Sequence, residues 1–188
     1  MLSRKKKNIV IVLPSLVREG GIILAYNISS YLIDKGYGII IVYLNQSPLE
    51  MLKEFKSLGV SLINIDLKND LLRYFKLIFS IFNVCKRFKP EAVLSILFGW
   101  HLFIAIGAKL ALVQKIIVHV GNLAPYWEKS FWKFKLLVRL AEPITDKLIC
   151  CSEFIKKTTV KYYGVSTNHT TLIYNSLFPG FSQTYSKK

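Results

Sequence analysis

Cysteine is scarce in this sequence and badly placed for cross-linking. There are three among 188 residues, Cys85, Cys150 and Cys151. An odd number, with two adjacent in a strand-like run, excludes a disulfide framework. Buried thiols of a reduced cytoplasmic protein are the reading that fits. No Cys/His set has the spacing of metal ligands, so neither a structural zinc site nor any other metal is expected. No Ser/His/Asp or Cys/His motif is present, which removes the case for a hydrolase. Internal repeats and low-complexity tracts are lacking, and a hydrophobic fraction of 52% excludes disorder. Carboxylates are few: 11 Asp and Glu face 26 Lys and Arg, for a formal charge of +15. That balance suits an anionic partner, whether lipid, nucleic acid or a phosphorylated substrate, or else marks only solvated basic faces.

Two segments resemble targeting or membrane signals without completing one. A basic head (Arg4, Lys5, Lys6, Lys7) leads into a short apolar run, but no small-residue cleavage site follows, and Arg18-Glu19-Gly20-Gly21 stands where one belongs. Residues 92–108 run 17 positions without a formal charge, the short limit of a membrane span, yet polar His101 lies near their centre and Lys109 closes them. A buried strand and a buried helix, broken at Gly99, are the expected form.

The most informative stretch is 8–44. An apolar run, Ile9 to Leu13, reaches a turn at Pro14, and a short loop ends in Gly20-Gly21. An amphipathic stretch from Ile22 to Lys35 stops at Gly36, and a β-branched run follows, Ile39 to Leu44. This is a strand, glycine loop, helix and strand, the repeating unit of a parallel sheet wound by helices. Glycines before a helix N-terminus expose backbone N–H groups where the helix dipole is positive, which suits a phosphate. The alternative is that they only make a tight turn, since this is not the G-x-G-x-x-G fingerprint.

The same alternation continues. A short helix is expected over 48–58, a strand over 60–65, and a longer helix over 71–88 capped by Asn69 or Asp70. The apolar positions of that helix nearly encircle it, which predicts packing on more than one side. A strand over 92–97, a helix over 102–112, a strand over 115–120, a basic aromatic helix over 131–140, a strand over 145–151, a helix over 153–163 and a last strand over 171–174 complete the pattern. The expectation is one α/β domain over 8–181 between a basic tail (1–7) and a C-terminal tail (182–188). It is doubly wound, with a mostly parallel sheet of about six to seven strands and helices on both faces.

Candidate chemistry gathers where such sheets bind ligands, beyond the carboxyl ends of the strands. Gly20 and Gly21 let a backbone approach a phosphate or sugar, and Arg18 and Glu19 share their loop. His119, near the end of the fifth strand and just before Gly121 and Asn122, can act as a base or polarise a phosphate, or serve as a structural residue. His101 lies at another strand-to-helix turn, and His169 in a polar turn expected to be solvated. Ser152 fits a helix N-cap. The segment 126–139 mixes aromatics with Lys129, Lys133, Lys135 and Arg139. It suits a membrane interface through Trp127, Trp132, Lys133 and Lys135, nucleic-acid stacking, or burial of its aromatics in the core.

Five motifs in order then resemble one family. They are the Gly20-Gly21 loop; Gly36-Tyr37 at the end of the helix that follows; Lys89-Pro90-Glu91-Ala92-Val93 before the fourth strand; Ile149-Cys150-Cys151-Ser152-Glu153; and Leu172-Ile173-Tyr174-Asn175-Ser176. Their order is similar to the N-terminal domain of GT-B-fold glycosyltransferases of the retaining family 4 type, over roughly 8–181. The resemblance implies transfer of a sugar from a nucleotide-sugar to a glycan or lipid-linked acceptor, without a metal, at the cytoplasmic face of the plasma membrane. Gly20 and Gly21 would meet the donor phosphates or sugar, and Glu19, Gly121 and Asn122 would join them as substrate contacts.

Three departures stand out. Where many members carry a His after strand five this sequence has Gly121, with His119 two residues earlier on the same strand face. Ser176 replaces a usual Gly. The family's second domain, which grips the nucleotide, is expected to be absent here and supplied by further sequence or by a partner chain. A non-catalytic basic module that binds an anionic membrane or a partner subunit is the competing expectation. Nucleic-acid binding rests on charge alone.

Overall fold

Each expected apolar run becomes a strand, and the strands join one seven-stranded sheet. The computed structural model describes residues 7–67, 72–122 and 128–175. The strands are β1 (Asn8–Leu13), β2 (Gly38–Tyr43), β3 (Ser61–Asn64), β4 (Ala92–Ser95), β5 (Lys115–Val120), β6 (Lys147–Cys150) and β7 (Thr170–Leu172). Their order is β3-β2-β1-β4-β5-β6-β7 and every pairing is parallel. Val10, Ile11, Val12 and Leu13 of β1 are all fully buried, as a central parallel strand covered on both faces requires. Lys7, assigned to the basic tail on sequence, is already held: its carbonyl accepts from the Gly38 N–H at 2.8 Å and its Nζ donates to Glu91 at 3.0 Å.

The helices are α1 (Gly20–Asp34), α2 (Leu52–Ser57), α3 (Arg73–Phe88), α4 (His101–Leu110), α5 (Phe131–Ala141) and α6 (Glu153–Thr158). Strand alternation assigns them to faces. Ile11, Leu13, Ile39 and Ile41 pack on α1 and α2 through Ile22, Ala25, Met51 and Phe55. The opposite face, with Val10, Val12, Val93 and Ile116, packs on α3 and α4 through Leu77, Ile81 and Ile104. Val118 and Val120 continue that second face beneath α5, through Val138, and beneath α6, through Ile155. α3 packs on α4, and α4 on α5. Gly107 makes the α3–α4 approach possible: a Cβ there would fall 2.5 Å from the Ile78 carbonyl oxygen.

Several boundaries differ from expectation because tertiary bonds move them. The second helix begins at Leu52 rather than 48, since the Met51 N–H is drawn to the Leu16 carbonyl at 2.9 Å. β4 stops at Ser95 rather than 97, where the Ser95 hydroxyl accepts the Leu97 N–H at 3.2 Å. The last long helix splits into α6 and a π-helical turn, Thr159–Tyr163, closed by Gly164 at φ 70°. Ser152 caps α6 as expected, accepting from the Ile155 N–H at 3.2 Å. α3 is packed on one side rather than several: Leu77, Ile81, Val84 and Cys85 are buried, while Leu72, Phe75 and Phe79 stand in solvent. The proposed caps Asn69 and Asp70 lie outside the described residues.

The uncharged stretch 92–108 is β4, a turn at Gly99 (φ 88°) and most of α4. No helix among the described residues is long and apolar enough to cross a membrane. Cys85, Cys150 and Cys151 are free thiols, and burial pushes Cys85 up to about 12 and Cys150 to about 11, so both stay protonated and inert at neutral pH.

Candidate functional site

The strand order reverses between β1 and β4, and there the two neighbouring β–α loops diverge to leave a crevice at the carboxyl edge. A cavity of about 390 Å³ occupies it. Glu19, Gly20, Gly21, His119, Gly121 and Asn122, the residues expected from sequence to meet substrate or do chemistry, all line it. A larger groove, of about 640 Å³, lies at the opposite sheet edge between Lys7, Glu91 and Gln114, away from every one of these residues.

Gly20 and Gly21 form the first turn of α1. Glu19 precedes them as an extended N-cap residue whose side chain makes no capping bond, while its carbonyl accepts the N–H groups of Ile22 and Ile23 at 3.0 and 2.9 Å. The Gly20 and Gly21 amides therefore stand ahead of the first intrahelical bonds, with the positive end of a fifteen-residue helix behind them. Neither glycine has a positive φ, so a tight turn does not explain them. A Cβ on Gly20 would meet no atom within 4 Å, and one on Gly21 would come 3.1 Å from Ile96 Cγ2. Arg18 is turned away: its guanidinium bonds the Glu54 carboxylate and its N–H donates to Glu50 at 2.8 Å.

His119 sits on the β5 face toward α1 and is 5% exposed. Its Nε2 donates to Asn175 Oδ1 at 3.2 Å, which leaves the ring's lone pair on Nδ1. Burial lowers the imidazole's pKa, and the bond to Asn175 opposes part of that drop. The ring is neutral at pH 7 and able to accept a proton. Gly121 makes room for it, since a Cβ there would fall 2.8 Å from His119 Cε1. The Gly121 carbonyl accepts from the Cys151 thiol at 3.3 Å, tying this loop to the end of β6.

Asn175 was legible in sequence only as part of the closing motif; its place in the cavity follows from lying just beyond β7 on the same sheet edge. Phe98 and Phe134 also line the cavity and pack edge to face at 5.3 Å. Phe134 comes from the basic aromatic helix and points inward, in keeping with the alternative that buries its aromatics. The lining carries no Lys or Arg among the described residues.

The family model for Glycosyltransferase Family 4 matches residues 19–177. The chain belongs to glycosyltransferase family 4. No curated protein matches it in sequence. Solved structures do match the fold of this family 4 chain. A glycosyltransferase from Rickettsia africae is 19% identical, with 92% of this chain and 44% of that one covered and a TM-score of 0.69. Anabaena HepE in complex with UDP-glucose is 14% identical, with 90% and 44% covered and a TM-score of 0.73. The UDP-GlcNAc 2-epimerase of Neisseria meningitidis, bound to UDP-GlcNAc, is 13% identical, with 88% and 46% covered and a TM-score of 0.64. The family 4 chain thus spans less than half the length of each, and at these identities the likeness is one of fold.

Other expected positions fall outside the cavity. Trp132 and Lys133 are exposed on α5, and the Lys135 ammonium lies 5.3 Å over the Trp132 ring. Trp127 lies outside the described residues. His101 is fully buried at the start of α4, where Nδ1 accepts the Gly99 N–H at 2.9 Å and burial drives its pKa to about 3. That makes it a structural histidine rather than a cavity residue. His169 is half-buried rather than solvated. No cluster of three or more His, Cys, Asp or Glu among the described residues has the form of a metal site.

Proposed function

We propose that this chain is the acceptor-side, N-terminal domain of a nucleotide-sugar-dependent glycosyltransferase that works in the cytoplasm on a glycan or lipid-linked acceptor. One observation carries the reading. In a family 4 chain, the free amides of Gly20 and Gly21, the neutral ring of His119 and Asn175 converge on one cavity at the point where strand order reverses. The amides and the α1 dipole would receive an oxygen of the donor diphosphate. As the bond from the sugar carbon to that diphosphate breaks, its electron pair stays on the phosphate oxygen, where these donors offset the growing charge. The acceptor hydroxyl forms the new bond and gives up its proton, and His119 Nδ1 is a base within the same cavity. Glu19 and Asn122 would bind sugar hydroxyls. Because the lining has no cation among the described residues, the remaining charge stabilisation would come from a nucleotide-binding half, in further sequence or a partner chain.

The test is amide NMR of the ¹⁵N-labelled 188-residue chain titrated with UDP-glucose and, separately, UDP. Shifts at Gly20, Gly21 and Asn122, without shifts at Gln114 on the opposite edge, are expected. Unmoved glycine amides at millimolar ligand would sink the reading.

A further inference from the structure

We propose that the outer surface of the helix layer α3–α4–α5 docks on an anionic lipid bilayer. The proposal goes beyond sugar transfer and does not depend on it. The α5 segment alone suggested a membrane in the sequence; the fold enlarges that strip into a face three helices wide.

The apolar part comes first. Phe75 and Phe79 stand four residues apart on α3, Leu110 on α4, and Trp132, Leu136 and Leu140 form an i, i+4, i+8 stripe on α5. Each of these six side chains is more than half exposed. Single exposed apolar residues are ordinary, but six on the outer ridges of three adjoining helices make a surface that wants cover.

Charge then selects the cover. The three helices hold eight Lys and Arg, four on α3, one on α4 and three on α5, and no Asp or Glu. Lys109 reaches Asp146 at 3.8 Å, and Lys76 and Arg139 donate to the Asp66 and Gly164 carbonyls at 2.7 and 2.6 Å. Each of the other three α-helices carries at least one acid: Asp34 in α1, Glu54 in α2 and Glu153 in α6. The acid-free helices are also contiguous, α3 beside α4 and α4 beside α5, and that clustering is the second, independent observation. A second copy of the chain would set like charges against each other. Nucleic acid would take the cations and the Trp132 ring but leave Leu110, Leu136 and Leu140 in water. An anionic bilayer satisfies both sets, with apolar tips at the acyl boundary and ammonium and guanidinium groups among the phosphates. The Lys135–Trp132 pair has the composition of an interfacial anchor. α5 also sends Phe134 into the cavity, so docking would hold the cavity beside the lipid surface; that consequence alone rests on the sugar-transfer reading.

Flotation of the 188-residue chain tests it, using vesicles of phosphatidylcholine alone and vesicles that also contain phosphatidylglycerol, at low and high salt. Binding to the anionic vesicles only, weakened by salt, is expected. Each of Lys76→Gln and Lys133→Gln should lower the partition coefficient about fivefold. The pairs Phe75→Ser/Phe79→Ser and Trp132→Ser/Leu136→Ser should each lower it roughly tenfold or more. Tyr31→Ser, on the opposite helix layer, should change nothing, and circular dichroism should match the parent for all variants because every altered side chain is exposed. Equal recovery on the two vesicle types overturns the proposal, as does an equal loss with Tyr31→Ser. An unaffected Phe75/Phe79 variant refutes the three-helix face, and binding to RNA or to an acidic protein in place of vesicles refutes the lipid. A failure of nucleotide-sugar binding leaves each of these outcomes unchanged.

Discussion

Replacing Gly20 by alanine adds one methyl group where the protein leaves room for it. No atom lies within 4 Å of that position, and the residue has an ordinary backbone conformation in the first turn of α1. The substitution restricts the unfolded chain and strains nothing in the folded one, so it should be neutral or stabilising by about 0.4–1 kcal/mol. A glycine needed for a left-handed turn would behave oppositely. The ligand side carries the cost. The methyl group fills space in front of the amides, and loss of a hydrogen bond to a charged oxygen is worth roughly 1.5–3 kcal/mol. Affinity for UDP-glucose should therefore fall about ten- to a hundredfold, at about 1.4 kcal/mol for each factor of ten. Urea unfolding followed by circular dichroism gives the first quantity, and NMR titration of the variant gives the second. Destabilisation by more than about 1 kcal/mol would mean the glycine serves the fold. Unchanged affinity in a stable variant would mean that the phosphate does not lie on this helix end.

Gly107→Ala should cost about 1–3 kcal/mol in urea unfolding, because its methyl group would press on the Ile78 carbonyl and Ile81 between α3 and α4; a neutral result would contradict that packing. Asn175→Ala should lower the His119 pKa further by removing the bond that favours the charged ring, and Asn175→Asp should raise it; imidazole NMR titration reads both, and no movement in either variant would deny the contact. His101 is held at about 3 against an ordinary 6.5, so the folded chain refuses a proton that the unfolded chain accepts. Its contribution to stability is complete above pH 6.5 and shrinks by about 1.4 kcal/mol per unit as pH falls toward 3. His101→Asn should flatten that dependence, and an unchanged slope in the variant would refute the burial argument.

Much of the fold was legible because it is written in short apolar runs. Near-continuous β-branched segments such as Ile39–Val42 have one good solution, a strand covered on both faces, and parallel neighbours then need helical crossovers. Element ends were less legible, because distant groups set them: Leu16 holds the residue before α2, and a local hydroxyl ends β4 at Ser95. The single buried face of α3 is illegible in sequence for a related reason. Its period locates the apolar side chains but not the neighbours that cover them, and nothing described covers Phe75 or Phe79.

By itself the sequence determined the alternating units, the glycine loop that opens α1, the reduced cysteines and the excess of cations, since each depends on residues close together in the chain. Tertiary structure decided what meets what. It brought Asn175 to His119 across 56 positions, set Phe134 in the cavity and turned Trp132 away from it, and collected the acid-free helices on one face. Those outcomes follow from strand order and from the alternation of side chains across the sheet. Both belong to the assembled sheet, because a strand's neighbours are fixed only when the crossovers close.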